Sequence, residues 1–168
     1  VLAGTKTIDE ARLERFRCVY AAAGVSIDPE ALQATAMAYR TAYLADRQPV
    51  EGACALLAAI KPHARIGIVT NNIVDEQQKK LTLCGFDPYV DALVVSEEVG
   101  ISKPDPRIFR VALERLGVSA NEAVMIGDSW TADIQGARSA GIRAIWFNRT
   151  RQTSPDPSFE VEQLTALQ

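Results

Sequence analysis

The sequence predicts an α/β fold, a Rossmann-like parallel sheet covered by helices on both faces, preceded by a helical hairpin. Three observations predict it. From Val50 onward, short apolar runs alternate with amphipathic helical stretches, the pattern of strands buried on both faces and joined by helical crossovers. No strand-like run occurs before that point. Glycines and proline-led starts punctuate the helical stretches at the ends where each is favoured.

The division falls at residues 1–49 and 50–168. In the first part, Thr7-Ile8-Asp9-Glu10 has capping-box spacing, in which the hydroxyl and the acid satisfy two orphan N–H groups reciprocally. Leu13, Phe16, Val19, Tyr20 and Ala23 then share a helical face, and Gly24 ends the run. Asp28-Pro29 opens a second helix whose apolar stripe is Leu32, Ala36, Tyr39 and Tyr43. In the second part, Gly52 to Ile60 reads as a helix, followed by the strand-like run Ile66-Gly67-Ile68-Val69 within Arg65 to Thr70. A helix from Val74 to Cys84 closes at Gly85, and Ala92 to Ser96 reads as a strand. Asp105-Pro106 starts a helix that stops at Gly117. Ala123 to Gly127 and Arg143 to Phe147 are further strands, flanking a helix from Thr131 to Ala140. Phe159 to Leu167 is expected to return along the core.

Composition narrows the function. The 168 residues are 48% hydrophobic and 23% charged with a net charge of −3, which suits a globular protein and disfavours a general nucleic-acid surface. No apolar run approaches the ~20 residues of a spanning helix, and no signal peptide is recognisable, so a cytoplasmic location is expected. Cys18, Cys54 and Cys84 are odd in number and widely spaced, which reads as free thiols rather than a disulfide or zinc framework. His63 is the sole histidine, at the end of a predicted helix, and a Ser-His-Asp triad finds no support.

Ligands of an open parallel sheet bind beyond the carboxyl ends of its strands, so those ends hold the candidate residues. After the first strand comes Thr70-Asn71-Asn72. A hydroxyl and free N–H groups before a helix can cradle phosphate, or Thr70 and Asn72 can simply cap that helix. After the second comes Lys103-Pro104-Asp105-Pro106. Lys103 can neutralise a carboxylate and a phosphoryl oxygen together, or be a solvated loop lysine. The third strand delivers Gly127-Asp128 with Asp133 in the next helical turn. Two carboxylates there suit one hard cation, although capping would account for Asp133 alone. Gly136 and Ala137 suit close packing of that helix against the sheet.

Thr70, Lys103-Pro104 and Gly127-Asp128-x-x-x-x-Asp133 together resemble, in order, three of the four signature motifs of the haloacid dehalogenase (HAD) superfamily, over roughly residues 50 to 150. The resemblance implies that Thr70 and the Asn71 backbone hold phosphate, that Lys103 stabilises the charge on nucleophile and phosphoryl group, and that Asp128 and Asp133 help anchor Mg²⁺. It further implies that residues 1–49 are the remnant of an inserted helical (C1-type) cap. Gly127 to Asn148 looks like bacterial phosphatases acting on nucleoside monophosphates and similar small metabolites.

The family's first motif, D-x-D-x-T at the end of the first core strand, does not occur before Thr70. By the resemblance, its first aspartate is the nucleophile that becomes an aspartyl-phosphate and its second is the acid and base. Neither can be assigned here. The strand that carries them would be central, beside those ending at Thr70 and Asp128, and its loss would leave unpaired interior edges. Because the sequence starts at Val1 inside the expected cap, a shortened product, a fragment or a numbered subset of a longer chain is expected. A separate N-terminal segment or a swapped chain completing the sheet is the expected partner. The leading expectation is a Mg²⁺-dependent phosphatase of small phosphomonoesters, inactive as this chain alone. The alternatives are a pseudoenzyme or fragment that binds phosphate or a partner, and a haloacid dehalogenase. A phosphoacceptor receiver domain is excluded by motif order, since its acids precede the lysine. Tyr20, Arg40 and Tyr43 carry no decisive substrate signal.

Overall fold

The computed structural model of the chain describes residues 8–153, 155, 160–162 and 164–167. Thr7 and Phe159, singled out above, lie outside the described residues. The chain divides into two compact units, Val1–Gln48 and Pro49–Gln168.

The first unit pairs helices α1 (Ile8–Ala22) and α2 (Pro29–Ala45). The start of α2 follows the sequence signal: the Asp28 side chain accepts the N–H of Ala31 at 2.9 Å, with Pro29 in the first turn. Leu32 and Ala36 are buried, but Tyr39 and Tyr43, expected on the same stripe, remain 44% and 50% exposed. A two-helix hairpin has one buried seam, too narrow for a full aromatic face. The rings stack on each other at 5.9 Å instead, and Phe16 meets Tyr39 edge-on at 5.3 Å.

The second unit is α/β. It runs α3 (Ala53–Ile60), β1 (Gly67–Thr70), α4 (Val74–Leu83), β2 (Ala92–Val95), α5 (Ser96–Val99) and α6 (Pro106–Leu116). It continues with β3 (Val124–Gly127), a π-helical turn (Trp130–Gln135), α7 (Gly136–Ser139), β4 (Arg143–Phe147) and β5 (Glu160–Val161). All strand pairs are parallel, with Thr70 opposite Val95 and Gly127 opposite Trp146. The candidate loops therefore emerge from the carboxyl ends of the strands.

The strands form two sheets, β1-β2 and β3-β4-β5. β1 and β3 are not paired with each other, and their residues are half-buried or exposed where β2 and β4 are largely buried. A strand is buried fully only when neighbours and helices cover it on every side. The main core gathers Val94, Ile108, Phe109, Ile134 and Ala137, each at most 1% exposed. α6 supplies Ile108, Phe109 and Ala112 to it from one face, starting at the Asp105 cap and ending at Gly117 with φ +64°. The returning tail places Leu164 against Ala53, Leu56 and Phe147.

Two local differences from the sequence pattern bear on the site. The strand expected to reach Ser96 gives way there to the one-turn helix α5, which the apolar pattern does not mark. The helix expected over Thr131 to Ala140 begins instead as a π-helical turn, with the N–H groups of both Asp133 and Ile134 donating to the Ser129 carbonyl at 2.8 and 3.2 Å. Such widened turns accompany functional positions. Of the three thiols, Cys18 and Cys54 are exposed and only Cys84 is buried; none is in a disulfide.

Candidate active site

Three strand ends converge through Lys103. Its Nζ donates to the Val69 carbonyl of β1 at 2.8 Å and to Asp133 Oδ1 at 2.6 Å. The two side chains are 12% and 6% exposed, so this ion pair is nearly withdrawn from water. An ammonium has three N–H donors, and the third has no partner among the described residues. The solvated-loop reading of Lys103 thus gives way to a lysine withdrawn from water and held by Val69 and Asp133.

Asp133 is fixed on its other side as well. Its Oδ2 accepts the N–H of Ser129 at 2.9 Å, while Ser129 Oγ accepts the N–H of Ala132 at 3.1 Å. This is a reciprocal cap, stretched by one residue because the turn is π-helical. The glycine before Asp128 has a steric reason. A Cβ on Gly127 would lie 2.4 Å from Asp133 Cβ and 2.6 Å from Oδ2, so only glycine lets the carboxylate lie across the strand end. Gly136 plays a similar part, but toward α6 and the lysine loop rather than the sheet: a Cβ there would meet Phe109 Cε2 at 2.7 Å and Pro104 Cα at 3.0 Å.

Asp128, at the end of β3, is exposed, and its carboxylate has no partner among the described residues. Its carbonyl accepts the indole N–H of the buried Trp146 at 3.0 Å, which fixes the backbone from which the carboxylate projects. Oxygen donors of this kind fit a hard divalent cation. Asp128 offers an uncommitted carboxylate, and Asp133 offers only the lone pairs left after Lys103 and Ser129. No group of three or more His, Cys, Asp or Glu gathers to hold a metal among the described residues.

At the end of β1, Thr70 and Asn72 do not cap α4. Ile73 occupies the cap position, and the N–H of Val74 donates instead to Glu97 of α5 at 2.9 Å. The Thr70 hydroxyl and the Asn72 amide both turn to Oε1 of the buried Gln77, at 3.5 and 3.3 Å. Asn71 directs its side chain to the Lys103 backbone, as detailed below. Sequence reasoning missed Gln77, Ser129 and Trp146. Ser129 alone left a signal, a serine four residues before an acid. His63 is exposed in the turn before β1, at the opposite end of the strand from Thr70.

The fold and these loops define a class. Residues 7–141 match the haloacid dehalogenase-like hydrolase family, and the chain belongs to it. More particularly, it is 40% identical over 124 residues to the pyrimidine 5′-nucleotidase YjjG of Escherichia coli, across 71% of this chain and 55% of that protein. It is 44% identical over 94 residues to the phosphoserine phosphatase of Thermus thermophilus, across 55% of this chain and 38% of that one. The chain thus spans about half or less of the length of these relatives. The magnesium-bound crystal structure of the HAD-hydrolase YfnB from Bacillus subtilis superposes with a TM-score of 0.84 at 31% identity, covering 99% of this chain and 73% of that one. No helix among the described residues is long and apolar enough to cross a membrane.

Proposed function

We propose that this chain is part of a Mg²⁺-dependent phosphatase of small phosphomonoesters. One observation carries the reading: Lys103 Nζ, anchored by Val69 and Asp133, keeps one N–H for a ligand beside the free ends of β1 and β3. A phosphoryl group placed there meets a fixed positive charge that needs no reorganisation as negative charge develops. The Asn71 N–H, joined by the Thr70 hydroxyl once it turns from Gln77, cradles its other oxygens. Mg²⁺, when bound through Asp128 with help from Asp133, supplies charge neutralisation at the phosphoryl oxygens.

The attacking carboxylate is not among these residues. In this reading it comes from a segment outside them, contributed by the same polypeptide, a separate peptide or a swapped copy. The unpaired edges of β1 and β3 support a strand between them, and the chain alone is then inactive. Nucleoside monophosphates are the preferred substrates, supported by the likeness to a nucleotidase; phosphoglycolate and sugar phosphates follow. Residues 1–49 act as part of the helical cap, and the cytoplasm is the expected compartment.

The test is hydrolysis of a generic phosphomonoester by the protein extended upstream to include D-x-D-x-T. Turnover requires Mg²⁺ and disappears in Asp128→Asn. Metal-independent turnover that survives Asp128→Asn would sink the assignment, and robust turnover by the purified 168-residue chain would remove the need for an added nucleophile.

A further inference from the structure

We infer that the Asn71 side chain is the positioning residue for Lys103, a role separate from the phosphate contact proposed for its backbone. The inference deepens the phosphatase reading and takes its functional meaning from it. Asn71 Oδ1 accepts the N–H of Lys103 at 2.8 Å, and Asn71 Nδ2 donates to the carbonyl of the same residue at 3.0 Å. One carboxamide thereby satisfies both backbone groups of one residue, as a neighbouring strand would. Asn148, at the end of β4, does the same for Gln152, with bonds of 2.9 and 2.7 Å. Among the described residues this device occurs at both Asn71 and Asn148, each time where a strand stops and a loop must be held.

The consequence at Lys103 is geometric. Pro104, the next residue, packs closely on Gly136, where an added Cβ would lie 3.0 Å from Pro104 Cα. The Lys103 backbone is therefore held by the Asn71 amide, and its neighbour Pro104 by close packing on the α7 start. From that fixed point the four-carbon stem reaches Val69 and Asp133 together. Asn71 Oδ1 and one N–H of its Nδ2 are committed to Lys103, which leaves the second Nδ2 N–H and the backbone N–H as the donors a phosphate can take. The residue type is also specified. Aspartate would keep the acceptor for the Lys103 N–H but place a second oxygen against the Lys103 carbonyl, and alanine would remove both bonds.

The test reads Lys103 itself, without activity. The purified chain is labelled with an amine-acylating reagent over a range of pH, and the rate at each lysine is followed by peptide mass spectrometry. In Asn71→Ala, Lys103 labels about tenfold faster than in the wild type, as expected for losing two net hydrogen bonds. Lys61, Lys79 and Lys80 keep their rates. Asn71→Asp gives an intermediate increase at Lys103 and decides the matter if the alanine variant does not fold. An unchanged Lys103 rate in a folded variant, or an equal rise at all lysines, overturns the proposal. Titration with inorganic phosphate separates it from the phosphatase reading. Faster Lys103 labelling with weakened phosphate binding supports both, whereas faster labelling in variants whose wild-type parent binds no phosphate leaves the positioning role standing and counts against the phosphate site.

Discussion

Removing the ammonium of Lys103 is expected to cost more stability than any exposed charge change in this chain. In Lys103→Met, the Asp133 carboxylate remains 6% exposed, with the Ser129 N–H as its one remaining partner among the described residues. Breaking a buried pair from one side costs about 3–5 kcal/mol, because the surviving charge is left without compensation. The lysine keeps 12% exposure, so the lower end, about 3 kcal/mol, is expected. Asp133→Asn keeps an acceptor for Ser129 but strands the lysine, and costs about 2 kcal/mol. The double variant Lys103→Met/Asp133→Asn contains neither charge and is expected to lose about 2 kcal/mol less than the sum of the two singles. Urea unfolding followed by tryptophan fluorescence measures this cleanly, since Trp130 and Trp146, the two tryptophans of the sequence, both lie in the second unit. With m-values of about 1–3 kcal/mol/M, the Lys103→Met midpoint falls by roughly 1–3 M. A coupling energy below about 0.5 kcal/mol would refute the argument that this pair is desolvated and mutually dependent.

Gly127→Ala is expected to destabilise by about 2–3 kcal/mol and lower the melting temperature by roughly 5–10 °C, since the new methyl meets an Asp133 side chain held on both sides; differential scanning calorimetry showing no change would contradict the packing. Asp105, bonded by the Arg107 side chain and then by its N–H, has its pKa lowered to about 2. A lowered folded-state value gives stability that is present above the unfolded pKa and lost as pH falls through the folded one. Stability therefore declines between about pH 4 and pH 2, and Asp105→Asn flattens that decline in acid titrations. Mg²⁺ is expected to change tryptophan fluorescence, because Trp146 holds the Asp128 carbonyl and Trp130 lies 5.3 Å from Trp146 edge-to-face. Asp128→Asn abolishes the change, and an identical response in that variant would separate the signal from Asp128.

The fold was legible because its signals are local. Asp105-Pro106 and Gly117 bound α6 as the pattern requires, and each apolar run from Gly67 onward became a strand. Strand-end position brought Thr70, Lys103, Asp128 and Asp133 into view for the same reason. What escaped depends on contacts between distant segments. Asn71 reaches Lys103 across 32 positions and Trp146 reaches Asp128 across 18, separations at which no periodicity operates. Tyr39 and Tyr43 fit a helical stripe, yet the hairpin offers no second layer to bury them. The π-helical turn arises from how Ser129 and Asp133 bond each other, information that helix propensity does not contain.

Lys103 also ties β1 to the turn that follows β3, through Val69 on one side and Asp133 on the other. A residue that laces the two sheets together, and in the proposed function also faces the phosphoryl group, cannot be varied for one purpose alone. Libraries randomised at position 103 and selected for soluble expression will return lysine for mechanical reasons, whatever the chemistry prefers. Under the proposed function, improved turnover has to be sought at the neighbours that aim the amine, since the amine itself is also a fastener.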